Sequence, residues 1–187
     1  MAITQGSIQP KRNSTRLLRN RKQPVDLGQG LVEAFLTNER IGQLLIDLID
    51  PKIWRVSPPC SKRRNIATTF AHIHNVRVMR LKMSSKGSKP ARLNRADVTP
   101  AQAKRALAES ALAIAALIEG ALETGGHVPN YSPDVVAMVC AAITHEAHHR
   151  GQITHWARQL GAPISLEMQA RLWDWNKQWK EVVGESR

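Results

Sequence analysis

The sequence predicts an all-α protein, an antiparallel four-helix bundle with a short extra helix at its C-terminal end. Three observations carry this. Apolar residues recur at steps of three and four in four long stretches. Those stretches begin and end on helix-capping chemistry. No segment shows the strict apolar–polar alternation of a half-buried strand, and there is no internal repeat.

The first helix is expected over about 31–49, where Leu31, Phe35, Ile41, Leu44, Leu45, Leu48 and Ile49 form an apolar face and Asp50-Pro51 ends it. A turn-rich link carrying Trp54 follows. The second helix is expected from Ser61 to about Met83. Two stripes compete for its buried face: Thr69, His72, Val76, Met79 and Met83 on one, Ala67, Ala71, His74, Val78 and Leu81 on the other. A polar, basic loop follows over 84–98, broken by Gly87 and Pro90. Thr99-Pro100-Ala101-Gln102 then reads as a helix start, with Thr at the N-cap, Pro at the first position and Gln three residues on. This third helix is Ala- and Leu-rich, favours helix throughout, and stops at Gly125-Gly126. The fourth opens at Ser132-Pro133 and closes at Gly161-Ala162-Pro163. A fifth, short helix over 165–180 carries Trp173, Trp175 and Trp179.

The chain of 187 residues is long enough for one domain with a real core, and 42% hydrophobic residues exclude a disordered protein. The net charge of +12 points to an anionic partner, whether nucleic acid, surface or small molecule. Six of those charges, Lys11, Arg12, Arg16, Arg19, Arg21 and Lys22, precede the first acid, Asp26. Residues 1–24 are therefore expected to be a flexible basic tail capable of weak, non-specific nucleic-acid contact. Residues 25–187 are expected to form a single helical domain. Cys60 and Cys140 form no CxxC; Cys140, in an apolar run, is expected to be buried. With no secretory signal and no apolar run of membrane-spanning length, the expected setting is the cytoplasm, without membrane insertion.

The chemistry concentrates in the fourth helix. Met138, Ala142, His145, His149, Gln152 and Trp156 fall on one line of alternating fours and threes, expected to be the inward seam. His145 and His149 stand one turn apart, where Cβ atoms are roughly 5–6 Å from each other. Two imidazoles so placed can share a metal ion, and His72 or His74 on the second helix can supply a third. Gln152 or Glu146 can orient the ligand rings. His148 and His155 lie on another stripe and read as surface residues, and His127 beside Gly125-Gly126 carries no signal. Ligand imidazoles must be neutral, so occupancy is expected to fall below about pH 6.5.

His145-Glu146-Ala147-His148-His149 also matches the HExxH motif of zinc peptidases, a minor alternative reading. It has no strand to pair with a peptide, and on a continuous helix His155 turns roughly 120° away from His149.

His145, His149, Arg150, Gly151 and Gln152, with His72 in Phe70-Ala71-His72-Ile73, resemble the HxxxHRGQ pattern and the earlier "AHI" histidine of the DinB-like family, which includes the YfiT-type metal-dependent hydrolases. The resemblance covers about residues 25–160. It implies a four-helix bundle, usually a homodimer, with nickel or zinc on His72, His145 and His149. It implies a hydrolase or thiol-S-transferase in which the metal activates water or a thiol for attack on a small-molecule substrate. Glu146 and Arg150 are the candidate catalytic residues, Arg150 for an anionic substrate group. The alternative is a non-catalytic, stress-related binding or scaffold protein with a structural or vestigial metal.

Overall fold

The computed structural model describes residues 25–59, 61 and 64–184. The basic segment 1–24 and Cys60 lie outside the described residues. The described chain is all-helical: α1 (Leu27–Leu48), α2 (Ile66–Ser84), α3 (Pro100–Glu123), α4 (Val135–Gln159), α5 (Leu166–Trp173) and α6 (Trp175–Val183). A 3-10 turn at Pro51–Ile53 follows α1, and the only β pairing among the described residues is an isolated bridge between Val128 and Tyr131.

Every helix starts on a short polar side chain that accepts an otherwise unpaired backbone N–H: Asp26, Asn65, Thr99, Asp134, Ser165 and Asp174. The capping box expected at Thr99 and Gln102 is present in both directions. The second helix begins later than Ser61, because Asn65 and Thr68 form the reciprocal box: Thr68 N donates to Asn65 Oδ1 and Asn65 N to Thr68 Oγ1, each at 2.9 Å. The fourth likewise begins two residues beyond Pro133, on Asp134, whose side chain accepts from Ala137 N. The final helix is divided at Asp174, which caps the start of α6.

The helix directions follow from what meets what. Gly28 lies against Leu122, and Lys104 Nζ reaches Asp47 at 2.7 Å, so α1 and α3 run antiparallel. Arg80 donates to the Met138 carbonyl while His72 meets His149, so α2 and α4 run antiparallel too. Phe70 shares an apolar cluster with Ala103 and Leu107, and Leu81 shares another with Ala111 and Ile114, so α2 and α3 run in the same sense. The four long helices are compatible with a four-helix bundle, in which residues 85–99 carry the chain back along its length. His74 Nε2 meets the Ala91 carbonyl at 2.8 Å, Asn75 pairs with Leu93 in both directions, and the Trp54 indole donates to the Val98 carbonyl at 2.9 Å. These bonds pin the returning segment.

The core has two apolar halves. Leu45, Ile49, Trp54, Phe70, Leu107, Ile153 and Trp156 fill one; Val32, Phe35, Leu81, Ile114, Ile118, Val135 and Met138 fill the other. Each fully buried large side chain contributes about 1.5–3 kcal/mol. Between the halves lies a polar belt of buried Asn38, Glu39, His74, Arg77, Ser110 and Glu146. Cys140, expected inside, is exposed, because the buried line of α4 runs through Met138, Val139 and Ala142 and turns Cys140 outward.

Candidate metal centre

The inward line of α4 is Met138, Val139, Ala142, Glu146, His149, Ile153 and Trp156. It is rotated from the seam expected through His145 and Gln152, which sit half-buried at its flank. On α2 the stripe through Ala67, Ala71, His74, Val78 and Leu81 is buried, whereas Met79 and Met83 of the other stripe are exposed. His72 is thus half-buried on the flank of α2, facing the flank of α4.

That antiparallel contact brings His72, His145 and His149 together. His145 Nε2 lies 3.1 Å from His149 Nε2 and 3.3 Å from His72 Nε2. One ring nitrogen from each residue falls within 4.8 Å of the others. The rings stand edge to face, with centroids 4.5 Å apart for His145 and His149 and 4.8 Å apart for His72 and His149. Nitrogens bound tetrahedrally at about 2.0–2.1 Å from an ion are about 3.3 Å from one another. The two Nε2 separations match that spacing, so the donor set fits one metal ion.

The second-helix alternative resolves in physical terms. His74 is fully buried and both its nitrogens are engaged, Nδ1 with Ser110 Oγ at 3.1 Å and Nε2 with the Ala91 carbonyl. It ties α2 to α3 and to the returning segment. His127 and His155 are exposed and stand outside the cluster.

The three rings resist protonation. Burial and then the neighbouring His149 and His145, with Arg95 and Arg64 beyond them, push His72 down to about 4. Burial lowers His145 as well, followed by the charge of His149. It also lowers His149, although the hydrogen bond to Gln152 works the other way. Neutral imidazole is the form that ligates a metal.

The two candidate catalytic side chains are placed elsewhere. Glu146 is buried and held by two partners: Arg77 Nε donates to Oε1 and Nη2 to Oε2, both at 2.7 Å, and Asn38 Nδ2 donates to Oε2 at 2.6 Å. Arg77 Nη2 also pairs with Glu39 at 2.6 Å, and Nη1 donates to the Leu107 carbonyl. Burial would raise the Glu146 carboxyl, but the charge and hydrogen bonds of Arg77 outweigh it and hold the group below the usual carboxylate range. Burial lowers Arg150, whose opposing charges are Glu146 and Glu39. Arg150 therefore belongs electrostatically to the charged belt. Sequence reading missed this belt because a core-facing Glu or Arg is rare unless paired. The available signal was Glu146 falling in step with Ala142, His149 and Ile153.

An all-α protein with three convergent neutral histidines on facing helices belongs to the class of helical proteins with a site fit for a metal. The DinB family model matches residues 127–181, which span α4, α5 and most of α6 and include His145 and His149. This match supports the assignment of the chain to a DinB-like family. Comparison with curated proteins and with solved structures gives no match. No helix among the described residues is long and apolar enough to cross a membrane.

Proposed function

We propose that the chain is a metal-dependent hydrolase or thiol-S-transferase in which His72, His145 and His149 hold one divalent ion, nickel or zinc. The observation that carries the reading is the convergence of three ring nitrogens, with His145 Nε2 at ligand spacing from the Nε2 atoms of both His72 and His149. A divalent ion there would lower the pKa of a coordinated water or thiol and supply a nucleophile near neutral pH.

The protein's own residues prepare that site. Burial keeps the three imidazoles neutral. Gln152 accepts from His149 Nδ1 at 2.9 Å and orients its ring. Arg64 and Arg95 are the outlying charges acting on His72, which favours a small substrate carrying an anionic group. Glu146, engaged by Arg77 and Asn38, has no carboxylate oxygen to spare as a general base, which counts against a peptidase of the HExxH type. A homodimer in a cytoplasmic setting completes the reading. Trp173 and Trp175, 86% and 40% exposed, offer aromatic area for such pairing, and light scattering at micromolar concentration tests it.

The test is metal analysis of protein purified without a polyhistidine tag, followed by exchange of the bound ion. About one divalent ion per chain, with a site open to small thiols or water, is the expected result. A filled site that no small ligand can reach marks a structural metal and a binding protein instead. Protein that takes up no divalent ion overturns the proposal.

A further inference from the structure

We infer that Gln152 and His148 form a positioning relay that fixes His149 with its Nε2 lone pair turned towards His72 and His145. The relay rests on the metal-centre reading and adds two residues that hold no ion themselves.

A primary amide has two unlike ends. Its oxygen only accepts and its nitrogen only donates, whereas a neutral imidazole carries one N–H and one bare nitrogen. The Gln152 amide spans two rings. Oε1 lies 2.9 Å from His149 Nδ1, and Nε2 lies 2.9 Å from His148 Nε2. His149 must therefore donate from Nδ1, which leaves its Nε2 bare, 3.1 Å from His145 Nε2. His148 must accept at Nε2. A reversed amide would present its NH2 group to His149 Nδ1 and drive the His149 proton onto Nε2, into the space where three ligand nitrogens meet. Reversal would also require the His148 proton to sit on Nε2 rather than Nδ1, so one amide couples the tautomers of the two rings.

The sequence builds this on one helix. Gln152 follows His148 by one turn and His149 by three residues, so a single side chain reaches both rings. The His148 and His149 ring centroids are 5.2 Å apart. His148, an exposed histidine off the buried seam, thus supplies the acceptor that holds the amide nitrogen when the amide oxygen faces His149. Gln152 and His148 are positioning residues, since neither belongs to the converging ligand set.

The experiment uses the full chain, zinc affinity by competition with a chelator, and the absorption spectrum of the cobalt(II)-loaded protein. Gln152→Met keeps the shape and removes the acceptor; zinc affinity should fall roughly 10–100-fold, with a shifted cobalt spectrum. Gln152→Glu accepts from His149 Nδ1 in either orientation and should restore wild-type affinity or better. His148→Ala removes the acceptor that holds the amide nitrogen and should weaken zinc roughly fivefold, the worth of one neutral hydrogen bond. In a Gln152→Glu background the same change should have no effect. Long-range 1H–15N spectra of the metal-free protein should place the His149 proton on Nδ1. Affinity of Gln152→Met within twofold of wild type, or an equal loss from His148→Ala in both backgrounds, overturns the relay. So does a His149 proton on Nε2. Wild-type protein that binds no divalent ion removes the metal reading, and the proton position then still decides the relay.

Discussion

Neighbouring residues on α4 belong to opposite kinds of polar cluster. Glu146 points into the belt with Asn38, Glu39 and Arg77, where the Arg77 guanidinium meets two carboxylates and a carbonyl. His145 points to the flank, where three imidazoles face one another with no charged partner among them. The belt is buried and charged, with its ions paired and Asn38 Oδ1 left without a hydrogen-bond partner among the described residues. The flank is neutral, half-buried at His72 and His145 and buried at His149, and its Nε2 atoms answer only each other. A cluster whose charges are paired internally holds the fold, whereas one whose lone pairs converge is fit for something from outside. One hundred degrees of helix rotation separates the two roles.

The comparison breaks most sharply at Arg77. Arg77→Met leaves Glu146 and Glu39 buried without their counter-charge, which costs about 3–5 kcal/mol. The melting temperature should fall by roughly 6–20 °C. A scanning calorimeter decides it; a drop under 2 °C or so would mean the belt does not hold α1, α2 and α4 together. His145→Ala should do the reverse. It empties the flank of bound metal while changing metal-free stability by under about 1 kcal/mol, since the ring is half-buried and lacks a charged partner. His149→Ala should also empty the site. Full metal content in either variant would show that the flank does not ligate.

A second pair sharpens the contrast on α2, where His72 and His74 lie two residues apart. His74→Ala strips partners from Ser110 and the Ala91 carbonyl and should cost about 2–3 kcal/mol while metal content survives. His72→Ala should lose the metal and leave the metal-free melting temperature within a few degrees of wild type. Metal analysis and melting of both proteins separate them; the opposite assignment of losses would move the ligand into the core.

Much of this was legible in the sequence. The helix period, the Thr99 box and the glycine stop at Gly161, which adopts a positive φ of 77°, are local signals that packing did not override. The i, i+4 spacing of His145 and His149 is likewise local. The rest depends on long-range pairing. Whether His72 or His74 faces α4 is decided by the returning segment 85–99, whose bonds to His74 and Asn75 have no sequence signature. Glu146 at the centre of the α4 seam is intelligible only once Arg77, 69 residues away in sequence, is seen beside it. The division of the last helix at Asp174 reflects a cap strong enough to begin a new helix inside an amphipathic run.

The smallest effect concerns acid. Sequence alone places proton competition near pH 6.5, the unperturbed histidine value. Burial, the neighbouring rings and the two arginines push His72 down to about 4, and His145 and His149 are lowered as well. In the unfolded chain these groups take up protons near pH 6.5; in the folded chain His72 does so only near 4. Between those values the unfolded state binds more protons, so metal-free stability should decline as pH falls through that window and level off below it. Glu146, also held low, pulls in the same direction as acid is added, so wild-type curves alone do not isolate the histidine. The difference between wild type and His72→Ala does. With a chelator present, the wild-type urea midpoint should fall relative to that of His72→Ala as pH drops from 6.5 towards 4, because only the wild type carries the His72 penalty. Parallel curves would mean that His72 titrates as an ordinary surface histidine, and the contrast between a neutral flank and a charged belt would fail at its most exposed member.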